Sequence, residues 1–171
     1  MKNIILTLAL AAVTCASSCA QEQTAAPAAP AVQAAPVVTA LQELDYITDV
    51  RPSADAKFYV YLCSASWCPP CRAIMPKVVE QYKDIKAAGG EILLLCFDRT
   101  PEAGKAYVKK YGVAFPTVMA NFANVGSMGL PGFTPPRGIP NAIFVTPNGN
   151  VLSNGHGATL LNWKQIIASK L

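Results

Sequence analysis

The sequence predicts an α/β protein with a mixed central sheet flanked by helices. Two strongly apolar strands alternate with two helices, which is the pattern of parallel β–α–β units. A tight-turn signal then joins two further strands, and an amphipathic helix closes the chain. The predicted order is therefore βαβα–ββα, in which parallel strands and an antiparallel hairpin share one sheet.

The first predicted strand, residues 57–63, is a run of aromatic and aliphatic residues, as expected for a strand buried on both faces. A helix follows with Pro69 in its first turn, where the missing N–H costs nothing, and it stops at Gly89-Gly90. The spacing of its apolar residues is helical: Ile74, Val78, Tyr82 and Ile85.

The second predicted strand covers residues 91–97, and Thr100-Pro101 then caps and opens a helix that ends before Gly112. Residues 112–139 are rich in glycine and proline, and they predict at most one short helix.

The third and fourth predicted strands are residues 141–146 and 151–153, which are joined by the turn-forming residues 147–150. The final helix begins near Thr159, and its apolar residues share one stripe: Leu160, Trp163, Ile167 and Leu171.

Residues 1–20 predict export of the chain. The apolar stretch 4–13 is too short to span a bilayer as a helix, but it suits a signal peptide. Cleavage after Ala20 would give a soluble exported protein. Alternatively, the small residues ending at Cys19 resemble a bacterial lipobox, although the Leu usual three positions before the cysteine is absent. The expected location is the periplasm, either free or anchored through a lipid on Cys19 to a membrane facing it.

Residues 21–40 predict a disordered linker, because much of this stretch is Ala/Pro-rich and proline blocks a continuous helix. The folded domain is then expected over residues 41–171. The formal net charge of +4, from 14 basic and 10 acidic residues, is small and dispersed. No basic cluster is present, so the sequence argues against a nucleic-acid partner.

Cys68 and Cys71 form a Cys-x-x-Cys motif at the junction of the first strand and its helix. A helix N-terminus stabilises a thiolate, which is the attacking species in disulfide exchange. Pro69 and Pro70 lack N–H groups and stiffen the loop, so the amides of Cys71 and Arg72 are the expected donors. We expect Cys68 to be the nucleophile and Cys71 the resolving cysteine. The Arg72 charge either favours the thiolate further or is simply solvated.

Other uses of this pair fit the sequence less well. A zinc site generally needs four ligands, and the chain has one such pair and the single His156. Covalent haem attachment needs a histidine where Arg72 stands. A static disulfide is the main alternative, and the position beside Trp67 at a strand–helix turn argues against it. We therefore expect a redox-active disulfide and no cofactor. Cys63 and Cys96 are expected to be buried apolar residues rather than a second redox pair.

Residues 64–72, Ser-Ala-Ser-Trp-Cys-Pro-Pro-Cys-Arg, resemble the active-site segment of the tryparedoxin and nucleoredoxin branch of thioredoxin-like proteins. Pro76 matches the helix-kinking proline of thioredoxins, and residues 94–98 are similar to their next strand. Residues 138–145 resemble the stretch that holds the family's cis-proline. Exported bacterial thioredoxin-like thiol–disulfide reductases share this architecture.

The resemblance implies a thioredoxin-like fold in which the Ile139–Pro140 bond is cis and Pro140 packs against the cysteine pair. It also implies that the Ile139 backbone binds an extended substrate peptide and that Trp67 belongs to an apolar docking surface. The sequence departs from the family at two places. Leu62 stands where many thioredoxins bury a carboxylate that assists proton transfer, and Asn141 stands where threonine is common.

These observations predict an exported thiol–disulfide oxidoreductase that reduces disulfides of extracytoplasmic proteins through Cys68 and Cys71. A membrane thiol reductase is the expected electron donor. Two alternatives stay open: a disulfide oxidase or isomerase, because the sequence does not fix the direction of transfer, or a redox-inert binding lipoprotein with the same fold.

Overall fold

The computed structural model describes residues 36–171. In that part of the chain a five-stranded sheet has the spatial order β3-β2-β1-β4-β5. The strands are β1 Phe58–Ser64, β2 Gly90–Cys96, β3 Thr117–Met119, β4 Asn141–Val145 and β5 Val151–His156. The α-helices are α1 Pro36–Gln42, α2 Pro69–Ala87, α3 Pro101–Tyr111 and α4 Trp163–Lys170, and 3-10 helices cover Val125–Ser127 and Gly157–Asn162.

The sheet is mixed, which confirms the predicted α/β class. Strand β1 pairs in parallel with β2, from Phe58 opposite Gly90 to Ser64 opposite Cys96. On its other side β1 pairs antiparallel with β4, which continues into the antiparallel strand β5. The carboxyl ends of β1 and β2 therefore lie at the same edge of the sheet, and α2 and α3 begin there.

Two apolar clusters cover the two faces of the sheet. On one face α2, α3 and α4 contribute buried residues such as Met75, Tyr107 and Trp163. On the other face α1 and the segment between β3 and β4 provide the cover, where Val37 and Leu130 are buried. The long segment before β4 is thus packed against the core rather than looped away from it.

Strand β3 is the main element that the sequence does not predict. Its three residues are too few to show a period, and the strand forms because the carboxyl half of β2 offers it a parallel ladder. Backbone hydrogen bonds extend that ladder, from Leu94 N–H to Pro116 O at 2.8 Å and from Ala120 N–H to Cys96 O at 2.8 Å.

The end of the chain also differs from the prediction. Strand β5 continues to His156 rather than stopping at Ser153. A 3-10 segment replaces the first turns of the expected helix, so regular α-helix begins at Trp163 and not at Thr159. Leu171 was expected on the buried stripe, but it follows the last helical residue and is 63% exposed.

The boundary predicted between linker and domain at residues 40 and 41 is wrong. Residues Pro36–Gln42 form α1, in which Val37, Val38 and Leu41 are buried against the sheet. The Val37 N–H also donates to the Pro147 carbonyl oxygen at 3.1 Å. Burial of these aliphatic side chains outweighs the local absence of a helical pattern. The predictions for residues 1–20 and 21–35 lie outside the described residues.

Within residues 36–171, none of the helices combines the length and the apolar character that crossing a membrane would require.

Candidate active site

The two cysteines of the motif lie where β1 gives way to α2. Cys68 is the N-cap residue of α2, and Pro69 and Pro70 occupy the first turn. Cys68 and Cys71 are joined by a disulfide, with their Cα atoms 5.2 Å apart. The end of β1 thus places Cys68 at the helix N-terminus. Cys71 lies about one helical turn later, on the same side of the helix as Cys68.

One backbone N–H group serves the Cys68 sulfur. The Cys71 N–H donates to Cys68 Sγ at 3.3 Å. The second donor that the sequence suggested, the Arg72 amide, instead donates to the Cys68 carbonyl oxygen at 3.1 Å. That bond is the first i→i−4 bond of α2, and it directs the Arg72 N–H along the helix axis rather than toward the sulfur.

The two cysteines differ slightly in burial, and both are largely covered. Cys68 keeps 3% of its surface exposed, whereas Cys71 is fully buried. The cover over Cys68 comes partly from the loop before β4, since Cys68 Sγ lies 3.5 Å from the Ile139 carbonyl oxygen. The Ile139–Pro140 peptide bond is cis, and Pro140 is buried. The neighbouring strand pair β1–β4 brings this loop to the disulfide.

Trp67 and Arg72, the chain neighbours of the two cysteines, are both exposed. Trp67 is 52% exposed, and its Nε1–H donates to the Phe97 carbonyl oxygen at 3.0 Å. The Phe97 ring in turn contacts the exposed Phe122 ring at 4.8 Å between centroids. The Arg72 guanidinium donates to the Ser66 carbonyl oxygen at 3.0 Å, so its charge is held at the loop that precedes the cysteines.

Asp98 is a buried carboxylate that sequence reasoning did not single out. It follows β2 and accepts hydrogen bonds from the Ser66 N–H at 3.1 Å and the Ser66 hydroxyl at 2.5 Å. The Cys96 thiol donates to the same carboxylate at 3.2 Å. The sequence signal for Asp98 is its position: an acidic residue directly after a buried strand, at the sheet edge that carries the cysteines. Leu62, at the family's usual carboxylate position, is fully buried.

Gly157 is a second residue that the sequence did not identify. Its N–H donates to the Pro140 carbonyl oxygen at 2.8 Å. A Cβ at this position would lie 2.5 Å from Pro140 Cβ and 2.7 Å from Ile74 Cδ1, so only a residue without a side chain fits. The backbone of Gly157 therefore closes the back of the cis-proline loop.

Cys63 and Cys96 are free thiols on opposite faces of the sheet. Cys63 pairs with Leu95, and Cys96 pairs with Ser64, so the register is offset by one residue and the two side chains alternate. Burial raises the pKa of each thiol to about 12. Neither is a thiolate at neutral pH, and the sheet separates them. In the part of the chain that the structure describes, no three His, Cys, Asp or Glu residues are grouped to hold a metal ion.

The relatives found by comparison with known proteins agree with one another. The sequence profile of the Thioredoxin-like family matches residues 55–151, more than half of the chain. Human nucleoredoxin is 35% identical over 58% of the chain, which spans 22% of that protein. The thiol-disulfide oxidoreductase ResA of Oceanobacillus iheyensis is 26% identical over 71% of the chain, which spans 60% of ResA.

Solved structures share the fold. A thiol:disulfide interchange protein of the thioredoxin family from Chlorobium tepidum superimposes with a TM-score of 0.56 at 24% identity, covering 68% of this chain and 81% of that one. The thioredoxin of Wuchereria bancrofti gives a TM-score of 0.53 at 28% identity over 68% of this chain and 81% of its own. The strand order, the cysteine pair at the start of α2 and the profile match together show that this chain belongs to the Thioredoxin-like family.

Proposed function

We propose that this protein is an exported thiol–disulfide oxidoreductase that reduces disulfides of extracytoplasmic proteins. The observation that carries the proposal is the asymmetry of the pair: Cys68 holds the helix N-cap, accepts a backbone N–H and retains exposed surface, while Cys71 lies fully buried behind it. An N–H donor at a helix N-terminus stabilises a thiolate, so the less buried of the two cysteines is also the one placed for activation.

The proposed reaction begins with both cysteines reduced. The Cys68 thiolate attacks one sulfur of the substrate disulfide, so that a mixed disulfide forms and the first substrate thiolate leaves and takes a proton from solvent. Cys71 then gives its proton to solvent and attacks Cys68 Sγ, which releases the second substrate sulfur as a thiolate that takes up a proton. Two electrons pass to the substrate, and the Cys68–Cys71 disulfide remains. A dithiol reductant, for which we propose a membrane thiol reductase, restores the reduced pair.

The surroundings of Cys68 favour an extended polypeptide as substrate. Trp67 presents an exposed indole on one side, and the Ile139 backbone lies against the sulfur on the other. An extended segment that crosses Cys68 would use backbone hydrogen bonds at Ile139 and apolar contact at Trp67. Pro69 and Pro70 stiffen the turn and keep the two sulfurs close during the exchange.

Support for the reaction class comes from relatives named nucleoredoxin and thiol-disulfide oxidoreductase. Support for export comes from the signal-like pattern of residues 1–20, with Cys19 as the proposed lipid-anchor position.

A redox titration of the full chain in thiol/disulfide buffers tests this proposal, with the Cys68–Cys71 state read by the mass added on thiol alkylation. Redox-active pairs of this type range from about −270 to −120 mV. A reversible midpoint near the reducing end is expected. A midpoint near the oxidising end would replace the proposal with disulfide formation or isomerisation, and a pair that does not cycle would leave a redox-inert binding protein.

A further inference from the structure

A cavity of about 270 Å³ lies between α2 and α3, beside the loop that carries the disulfide. Most of its wall is apolar or aromatic and comes from Ala103, Ala106, Tyr107 and Tyr111 of α3. Two charged side chains also line it, Arg72 from the first turns of α2 and Lys110 from the end of α3, and both are cations.

Neither cation is neutralised by an ion pair within residues 36–171, where the two ion pairs present involve other residues. Arg72 has five N–H donors, and its hydrogen bond to the neutral Ser66 carbonyl uses one of its nitrogens. Lys110 Nζ lies 5.6 Å from the ring centroid of Tyr111, a contact that leaves its charge in place. Both charges are therefore available to an anion that enters the cavity.

Two acids close to this region are already engaged. Asp98 is buried, and its oxygens accept hydrogen bonds from Ser66 and Cys96. Glu102 lies in the first turn of α3, where its own backbone N–H and the Thr100 hydroxyl lower the pKa of its carboxyl group. These bonds hold the Glu102 carboxylate at the start of α3, about two turns before Lys110.

We propose that this cavity binds an acidic side chain of the substrate polypeptide, near the cysteine that Cys68 attacks. The cavity is smaller than the roughly 300–1,000 Å³ of typical small-molecule sites, so it suits one side chain better than a cofactor. A glutamate has the matching chemistry, with an apolar stem for the tyrosine rings and a carboxylate for Arg72 and Lys110. The inference rests on the proposed function, because it specifies the substrate of the same cysteine pair.

The consequence is a preference among disulfide substrates. A partly exposed ion pair is worth up to about a fivefold gain in binding, and attraction between opposite charges also accelerates encounter. Both effects weaken as salt shortens the screening length, from about 10 Å at 0.1 M to about 3 Å at 1 M. We therefore expect the preference for acidic substrates to be largest at low salt.

The test uses the full chain in its reduced form and a set of disulfide-linked peptides that differ at single positions near the cysteine. Each position carries Glu, Gln or Lys in turn, and the measured quantity is the second-order rate constant of peptide reduction. At one or more positions the Glu peptide is expected to react about five times faster than the Gln peptide, and the Lys peptide more slowly. About 1 M salt should reduce the ratio toward one.

Three variants locate the effect. Lys110→Gln should reduce the Glu-to-Gln ratio, and Lys110→Glu should reverse the preference toward the Lys peptide, an outcome that simple loss of structure does not produce. Lys164→Gln is the matched control, because Lys164 is exposed on α4 and is not among the residues that line the cavity. It should leave the ratio unchanged.

Equal rates for the Glu, Gln and Lys peptides would overturn this inference and leave the proposed function standing. A Glu preference that survives both Lys110 variants would also overturn it, since the carboxylate would then bind elsewhere. Failure of the reduced protein to reduce any of the peptides would overturn the proposed function and, with it, this inference.

Discussion

Asp98 fastens the loop before Cys68 to the neighbouring strand through Ser66, whose N–H and hydroxyl both donate to its carboxylate. The Trp67 indole makes a parallel connection to the Phe97 carbonyl. Two consecutive residues after β2 therefore hold two consecutive residues before Cys68. The position of Cys68, the proposed nucleophile, depends on the end of β2 as much as on its own helix.

Asp98→Ala should lower the free energy of unfolding by about 2 kcal/mol, because donors on Ser66 and Cys96 lose their acceptor in a largely buried site. Urea unfolding measures the change. Asp84→Ala is the control, since the Asp84 side chain is 63% exposed and its ion pair with Lys164 is exposed too. Its cost should stay near or below about 0.5 kcal/mol, and an equal loss in both variants would contradict the role assigned to Asp98.

Cys68→Ser should abolish reduction of a disulfide substrate, because serine at the N-cap cannot attack sulfur under these conditions. Cys71→Ser should still attack but should accumulate a mixed disulfide, visible as the added mass of the substrate thiol. Cys63→Ala, which removes a free buried thiol, is the control and should keep turnover. Full activity in Cys68→Ser would contradict the assigned nucleophile.

Gly157→Ala should disturb the cis-proline loop, since its Cβ would lie 2.5 Å from Pro140 Cβ. We expect a loss of about 1–3 kcal/mol in unfolding free energy, the usual cost of overpacking, together with slower disulfide reduction. Gly138→Ala makes the same chemical change two residues before Pro140, where a Cβ meets nothing within 4 Å. Equal losses of unfolding free energy and of reduction rate in the two variants would contradict the role assigned to the contact between Gly157 and Pro140.

Stability should fall in alkaline solution. Burial raises the pKa of Cys63 and Cys96 from 9.0 to about 12, and it raises the pKa of Tyr46 and Tyr59 from 10.0 to about 12. Between these values the unfolded chain has released protons that the folded chain retains. The contribution of these four groups to the free energy of unfolding should therefore be constant below about pH 8 and decrease as pH rises through 9 toward 12.

Urea midpoints across this pH range measure the alkaline decrease. Tyr46→Phe removes one titrating group and should make the decrease shallower, whatever its effect at neutral pH. A urea midpoint that increases as the pH rises above 9 would contradict the effect assigned to these buried groups. An equally steep alkaline decrease in Tyr46→Phe would contradict the part assigned to Tyr46.

The sequence predicts the parts of the fold that leave a local signal. β1 and β2 are continuous apolar runs, so their predicted bounds agree with the structure to within one residue. The cysteine motif marks where β1 meets α2. Thr100 and Gly112 likewise marked α3, with Thr100 as its N-cap and Gly112 in the left-handed conformation at its end.

What the sequence does not predict depends on partners distant in the chain. Strand β3 exists through its ladder to β2, and α1 exists because Val37 and Val38 pack on the sheet. In the candidate site, Asp98 and Gly157 act on residues 32 and 17 positions away, Ser66 and Pro140. No local pattern reports such contacts, whereas the cysteine pair is recognisable because its members are three residues apart.

The one-residue offset between Cys63 and Cys96 has a consequence for oxidation during folding. Residues 36–171 contain four of the six cysteines, and in an oxidising compartment each of the four can form a disulfide while the chain is unfolded. Once β1 and β2 have paired, the sheet lies between Cys63 and Cys96. Strand register thereby prevents a Cys63–Cys96 disulfide, so oxidation and reduction at Cys68 and Cys71 leave the two buried thiols uncrosslinked to each other.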